Sequence, residues 1–348
     1  MLRYLRTSII FAVLCLVAAF CFGFYQSNTI GAGLSALWSV AILAVLEVSL
    51  SFDNAVVNAT VLKNMDALWR KRFLTWGMVI SVYGMFIMFP LLIVALAAHL
   101  GPIEALHLSL SDPARYSVLI SSAHTPIAGF GGAFLLMVGL KFFFDEDKEV
   151  HWIAILERQL TRFSALQSLE MAIVLLVAWG ISMQLPVEEA HSFFVSAVLG
   201  IVCYIAVDGL GAFLEAREER LKATGAIVRS GLGGFIYLNV LDASFSFDGV
   251  IGSFAISNNM IIIALGLSIG AMFVRSLTVA LVEEGTLAEF LYLEHGAFWA
   301  IVALGSIMLA SVVVEIPEVV TGVIGAVSIA LSVVWSVRHN RPARSAAC

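Results

Sequence analysis

The chain has 348 residues, of which 61% are hydrophobic and 13% charged, with a formal net charge of −6 and a mean hydropathy of +0.99. Soluble domains carry roughly 25% charged and about 45–50% apolar residues. An apolar excess of this size cannot be hidden in one globular core, so a soluble domain is excluded and an all-α, polytopic membrane protein is expected.

Taken in chain order, apolar runs of about 20 residues between charged or Pro/Gly-marked breaks predict ten helices. They lie near 9–25, 34–62, 73–98, 126–144, 169–185, 191–214, 231–257, 259–281, 297–314 and 319–337. The first has the charge pattern of a signal peptide, "RYLR" before "SIIFAVLCLVAAFCFGF". Its apolar run is longer than a typical signal core and no A-x-A site follows, so a retained helix or signal anchor is expected. Tight hairpins are expected at 186–190 and 257–259. With the N-terminus inside, 17 of the 19 Lys and Arg residues fall on the inner side, Arg115 falls outside and Arg275 lies within a helix. This asymmetry predicts that both termini are cytoplasmic. The inner loop 282–296 departs from it, with Glu283, Glu284, Glu289 and Glu294 and no basic residue.

Two stretches superpose at an offset of 195. They are "LEVSLSFDNAVVNATVL" (46–62) and "LDASFSFDGVIGSFAIS" (241–257). Glu47 falls on Asp242, Ser49 on Ser244, Ser51 on Ser246 and Asp53 on Asp248. The motif helices are the second and seventh spans, so they run in opposite directions, each followed by two more spans. This predicts an inverted repeat of two three-helix units, the plan of secondary transporters with a site near the midplane. The expected organisation is an N-terminal helix (1–30), a first repeat (31–150), linking helices (151–225), a second repeat (226–315), and a last helix with a cytoplasmic tail (316–348).

An acid at mid-membrane costs about 2.5–3.5 kcal/mol on insertion scales, and four cost on the order of 10. Glu47, Asp53, Asp242 and Asp248 must therefore be protonated, paired or neutralised by a cation. Arg275 can offset one of them, which leaves bound metal or protons for the rest. Carboxylates, Asn54, Ser49, Ser51, Ser244, Ser246 and backbone carbonyls are hard oxygen donors. They suit Mg²⁺, Ca²⁺ or Mn²⁺ rather than Zn²⁺ or Cu²⁺. At about 100° per residue, Glu47, Ser51 and Asn54 share one helix face, and Ser49 and Asp53 nearly the opposite one. The helix at 34–62 would also be about 43 Å long against a core of about 30 Å. Both facts suggest unwinding at Ser51–Asn54, with Gly249 and Gly252 permitting the same in the second copy. Alternatively, Glu47 and Asp242 serve as a proton relay.

Other features read more plainly. Cys15, Cys21, Cys203 and Cys348 form no CxxC or Cys/His cluster and are expected as apolar helix residues. Met85, Met88, Met260 and Met272 read as packing. "GFGGAF" (129–134) and "GLGGF" (231–235) follow no strand and are expected to allow close helix packing. His99, His107 and His124 fall in a long outer loop, 99–125, and read as solvated. "FFFDEDKE" (142–149) and "EAREER" (215–220) read as solvated helix ends. Glu283 and Glu284 lack the partners a membrane protease needs, and no HExxH is present. With no nucleophile–base arrangement, no enzyme is expected.

The stretches "SFDNAVVNATVL…DALWRKRFLTWGMVISVYGMF", "GAFLLMVGLKFFFDEDKE" (132–149) and "SFDGVIGSFAIS…GLSIGAMFVRSLTVALVEEG" resemble the TerC family of bacterial integral membrane proteins. The likeness covers most of residues 40–315. In length and in its long outer loop the chain is more similar to the uncharacterised relatives of TerC, within the LysE-type transporter superfamily. The resemblance implies manganese export or homeostasis and a link to tellurite resistance. By match it places the ion site on Glu47, Asp53, Asn54, Asp242 and Asp248. Gly249 replaces Asn54 in the second copy, and Ile80 stands where the second copy has Arg275, so the site would be asymmetric. The expected function is export of a divalent cation as substrate, manganese favoured, with protons as a candidate coupling ion and no permanent cofactor. The alternative is a membrane scaffold in a metal or tellurite stress complex, with a structural ion.

Overall fold

The computed structural model describes residues 2–63, 65–77, 79–97, 100–145, 150–162, 168–223, 231–284, 290–314 and 316–345. Among the described residues there are helices and no strands. The first half holds α1 (Leu2–Ser27), α2 (Ile30–Leu50), α3 (Phe52–Lys63) and α4 (Ala67–Arg72). Two π-helical pieces follow, Phe73–Gly77 and Ile80–Met88, then α5 (Phe89–Ala97), α6 (Pro102–Ser111), α7 (Pro113–Ser122) and α8 (His124–Phe143). The remainder is α9 (Ala154–Arg162), α10 (Leu169–Ser182), α11 (Val187–Ala223), α12 (Leu232–Ile256), α13 (Met260–Glu283), α14 (Leu293–Ala310) and α15 (Glu318–Ser345).

Among the described residues seven helices are long and apolar enough to cross a membrane: α1, α2, α8, α11, α13, α14 and α15. The chain is a multi-pass membrane protein. The other expected spans fall on three further helical stretches. Residues 73–98 are broken into π- and α-helical pieces, 169–185 holds the 14-residue α10, and 231–257 holds the 25-residue α12.

Local chemistry sets the boundaries. Asn28 turns the chain between α1 and α2 at φ 52°, and the Thr29 hydroxyl accepts from Ala32 N at 3.4 Å. At the expected 257–259 hairpin, Asn259 Oδ1 accepts from Ile261 N at 3.0 Å and starts α13. Gly231, at φ 136°, precedes α12. One glycine of "GLGGF" thus serves backbone conformation rather than helix packing, because an L side chain would strain there.

The expected outer loop 99–125 is instead two short helices. Pro102 and Pro113 each open one, as proline favours the first helical turn, and Asp112 Oδ1 caps α7 through Arg115 N at 3.1 Å. Tyr116 is fully buried, with its ring 6.0 Å from that of Phe254. His107 is exposed. His124 opens α8, with Nε2 3.4 Å from Ser311 Oγ. His99 lies outside the described residues.

The core centres on α8, which packs against α11 and α14. A Cβ built on Gly132 would stand 2.9 Å from the carbonyl oxygen of Gly305, so the "GFGGAF" stretch does bring backbones together, as small residues do in membrane helices. Helices from the two halves interleave. The first motif segment, α2 and α3, packs against α13, and α3 also against α14. The second, α12, packs against Ile80–Met88 and α8.

"FFFDEDKE" is only partly a solvated end. Phe142 stacks on Phe298 at 3.8 Å and Phe143 lies 4.5 Å from Trp299. Residues 146–149 lie outside the described residues. Next to these rings Glu157 is fully buried. Its carboxylate accepts from Trp152 N at 3.1 Å and Ile153 N at 3.2 Å. It also accepts from Trp299 Nε1 at 3.2 Å and meets His295 Nδ1 at 3.0 Å. A buried carboxylate persists only when its lone pairs are answered this fully, and here it fastens segment 150–162 to α14. Glu157→Ala would strand several buried donors. We expect it to lower stability by on the order of 3 kcal/mol, seen as an earlier unfolding midpoint in detergent, with Glu157→Gln intermediate.

Candidate functional site

Helical periodicity brings Glu47, Ser51, Asn54 and Asn58 to one side, at steps of four, three and four residues. They line a cavity of about 30 Å³ with Asp242 and Ser246 of α12 and Arg275 of α13, closed by Phe73, Leu74, Phe86 and Val274 among others. Such a volume holds one or two waters or a dehydrated ion. Glu47, Asn54, Asn58 and Asp242 are each less than 9% exposed.

Within the cavity Ser51 Oγ donates to Glu47 Oε1 at 2.8 Å, and Asn58 Nδ2 donates to Asp242 Oδ1 at 2.8 Å. The side-chain amide of Asn54 also bears on Asp242. The amide oxygens of Asn54 and Asn58 are buried and have no hydrogen-bond partner among the described residues. Buried polar atoms are nearly always partnered. Two orphan oxygens beside two carboxylates mark a site with oxygen donors left over.

The expected unwinding of the motif helices is found only as a one-residue break in the first copy and is corrected in the second. The first copy is interrupted at Ser51 alone, with φ −101° and ψ 15°. Backbone bonds reach across it, from Ser51 N to Glu47 O at 2.9 Å and from Ala55 N to Ser51 O at 3.2 Å. The second copy, α12, runs unbroken past Gly249 and Gly252. The glycines do a different job. A Cβ on Gly249 would stand 3.0 Å from Glu47 Oε2, and one on Gly270 would stand 2.3 Å from Glu47 Cγ. Glycines on α12 and α13 thus form the bed in which the Glu47 side chain lies.

Of the remaining expected residues, Asp53, Ser49 and Ser244 do not line the cavity. Asp53 is buried but does not line it. It occupies the first turn of α3, where a carboxylate is favoured by the helix N-terminus, and its partners are the backbone amides of Asp53 and Asn54. The rotation of about 100° per residue sends it away from Glu47. Ser49 is exposed and donates to Val45 O at 2.8 Å. Ser244 is buried and donates to Val240 O at 3.0 Å, while Ser246, in the cavity wall, donates to Asp242 O at 2.9 Å. The side chain of Asp248 lies outside the described residues. Among the described residues no group of three or more His, Cys, Asp or Glu is placed to hold a metal ion, so amide oxygens would have to complete any ligand set.

Arg275 forms no ion pair with a carboxylate among the described residues. Its Nε donates to Leu74 O at 2.6 Å, a carbonyl in the π-helical turn Phe73–Gly77. Such turns interrupt the regular α ladder and recur at functional sites.

A family model described as a protein of unknown function, DUF475, matches residues 52–343, more than half of the chain. The chain belongs to the DUF475 family. No curated protein and no solved structure matches it. The DUF475 match begins inside the first motif, at Phe52, and takes in the whole of the second.

Sequence reasoning missed Asn58, whose partner Asp242 is 184 positions away. A signal was present. Asn58 continues the face of Glu47, Ser51 and Asn54 at a further step of four, and a second amide inside an apolar run carries the same desolvation cost as the first.

Proposed function

We propose that this DUF475 protein is a secondary transporter that exports a divalent cation, with manganese the favoured substrate. One observation carries the reading: Glu47 and Asp242, matched residues of two motifs 195 positions apart, face one buried cavity beside two unpartnered amide oxygens. The donor set is all oxygen, which suits Mn²⁺, Mg²⁺ or Ca²⁺. The reciprocal packing of α2 and α3 on α13 and α14, and of α12 on Ile80–Met88 and α8, supports an inverted repeat. Each motif helix meets the two spans that follow the other motif. The resemblance to TerC supports manganese over the other two ions and supports export, and the distribution of Lys and Arg supports cytoplasmic termini.

In this reading an ion entering between the two halves exchanges its water for Glu47, Asp242, Asn54 and Asn58, and leaves as the halves rock about the cavity. Protons are the candidate coupling ion, since they can take the ion's place on the carboxylates. Flux in proteoliposomes tests the reading, across Mn²⁺, Mg²⁺ and Ca²⁺ with and without a pH gradient. Saturable Mn²⁺ flux is expected, and absence of flux for all three ions sinks it. The small, closed cavity favours one second reading, a scaffold with a resident ion. That protein would co-purify with stoichiometric metal and show no flux.

Asn58→Leu separates the ligand role from packing. It keeps the branched four-atom skeleton of the side chain and removes both the donor to Asp242 and an orphan oxygen. We expect Mn²⁺ affinity to fall about 10-fold or more in calorimetric titration, with the protein still folded.

A further inference from the structure

We propose that Arg275 is an internal counter-cation for the cavity: it offsets one of the two carboxylate charges of Glu47 and Asp242 when no metal is bound and withdraws when a divalent cation enters. This rests on reading the cavity as a cation site. Two carboxylates and one guanidinium line the same small space, and among the described residues no other Lys or Arg lines it. Removing charge from water without a partner is costly, so an empty site needs a positive group near at hand. A guanidinium is charged at every physiological pH, so it can serve without any proton being taken up.

The structure holds Arg275 in a position from which it can move either way. Among the described residues its tether is one hydrogen bond, from Nε to the carbonyl of Leu74, and the two terminal nitrogens have no partner there. The side chain also lines a second, larger cavity of about 280 Å³ with Tyr4, Thr7, Ser276, Val279 and Glu283. Glu283 is exposed and supplies a carboxylate on that side. Swinging toward α2 and α12 places the guanidinium against Glu47 and Asp242. Swinging toward Glu283 frees them for metal. Metal and guanidinium are then alternative ligands of one pair of carboxylates, and their binding is negatively coupled.

Calorimetric titration of the purified full-length protein with Mn²⁺ tests this, with Mg²⁺ and Ca²⁺ as companions. Arg275→Gln removes the competitor, so Mn²⁺ should bind about 10-fold more tightly, within the usual range for coupled ligands, while Arg275→Lys should stay near the parent. In proteoliposomes Arg275→Gln should keep metal–metal exchange and lose most net flux, because the charge of the empty site can no longer be offset. Unchanged or weaker Mn²⁺ binding by folded Arg275→Gln overturns the proposal, as does net flux equal to the parent's. If Arg275→Gln does not fold, Glu283→Gln decides: severalfold weaker binding supports the proposal and unchanged binding overturns it. A parent protein that binds Mn²⁺ but carries no flux sinks the transport reading alone, and the affinity shift still judges Arg275.

Discussion

Asp242→Asn should weaken Mn²⁺ binding by at least about 100-fold, since loss of groups merely behind a metal ligand already costs 10–100-fold, and it should abolish efflux. Asp242 is an acid in the cavity wall, and its carboxylate is already aligned by Asn58, so removing its charge removes a preorganised ligand. Glu47→Gln should act similarly, because its carboxylate lies in the same cavity with Oε1 held by Ser51. Asp53→Asn is the informative contrast. Asp53 is buried to the same degree as Glu47 but answers backbone amides at the start of α3. It should cost about 0.3–1 kcal/mol of stability through the helix terminus and leave affinity within a few-fold. Titration and cellular manganese content check all three. If Asp53→Asn abolishes binding while Asp242→Asn leaves it intact, the cavity has been assigned to the wrong acids.

Gly270→Ala should damage both stability and the cavity. The added Cβ would stand 2.3 Å from Glu47 Cγ and 2.4 Å from Glu47 Cβ, where no relaxed contact exists. Either α13 moves away from α2 or the Glu47 carboxylate leaves the cavity. Overpacking of this kind costs about 1–3 kcal/mol, and displacement of Glu47 adds loss of Mn²⁺ binding. Gly180→Ala provides the control, because nothing lies within 4 Å of its would-be Cβ. There alanine should be neutral or stabilise α10 by up to about 1 kcal/mol through helix propensity. Thermal unfolding in detergent and calorimetric titration separate the two effects. Equal behaviour of the two variants would mean that the Glu47 bed is not close-packed.

Much of the fold was legible in the chain because a bilayer imposes a local rule. An apolar run must be helical to satisfy its backbone, so α1, α2, α8, α11, α13, α14 and α15 could be read from hydropathy alone. The face shared by Glu47, Ser51 and Asn54 was legible for the same reason, since 3.6 residues per turn is a property of the helix itself. The two helices within 99–125 were missed although Pro102, Asp112 and Pro113 announce them, because the segment's polarity read as loop. The buried Glu157 was missed too. A lone acid beside a charged stretch carries no mark of the tryptophan and histidine donors that answer it from α14.

The sequence by itself determined a helical, multi-pass membrane protein, with a duplicated acid-and-serine motif whose carboxylates could not be left bare in lipid. Only the tertiary structure decided which of those acids meet. Glu47 and Asp242 share a cavity because Gly249 and Gly270 let α12 and α13 close around α2, while the same helical rotation carries Asp53 to the terminus of α3. Asn58 and Arg275 acquire their places from partners 184 and 201 positions away. The reason is physical: periodicity along one helix says which residues share a face, and the contacts between helices choose which face looks inward.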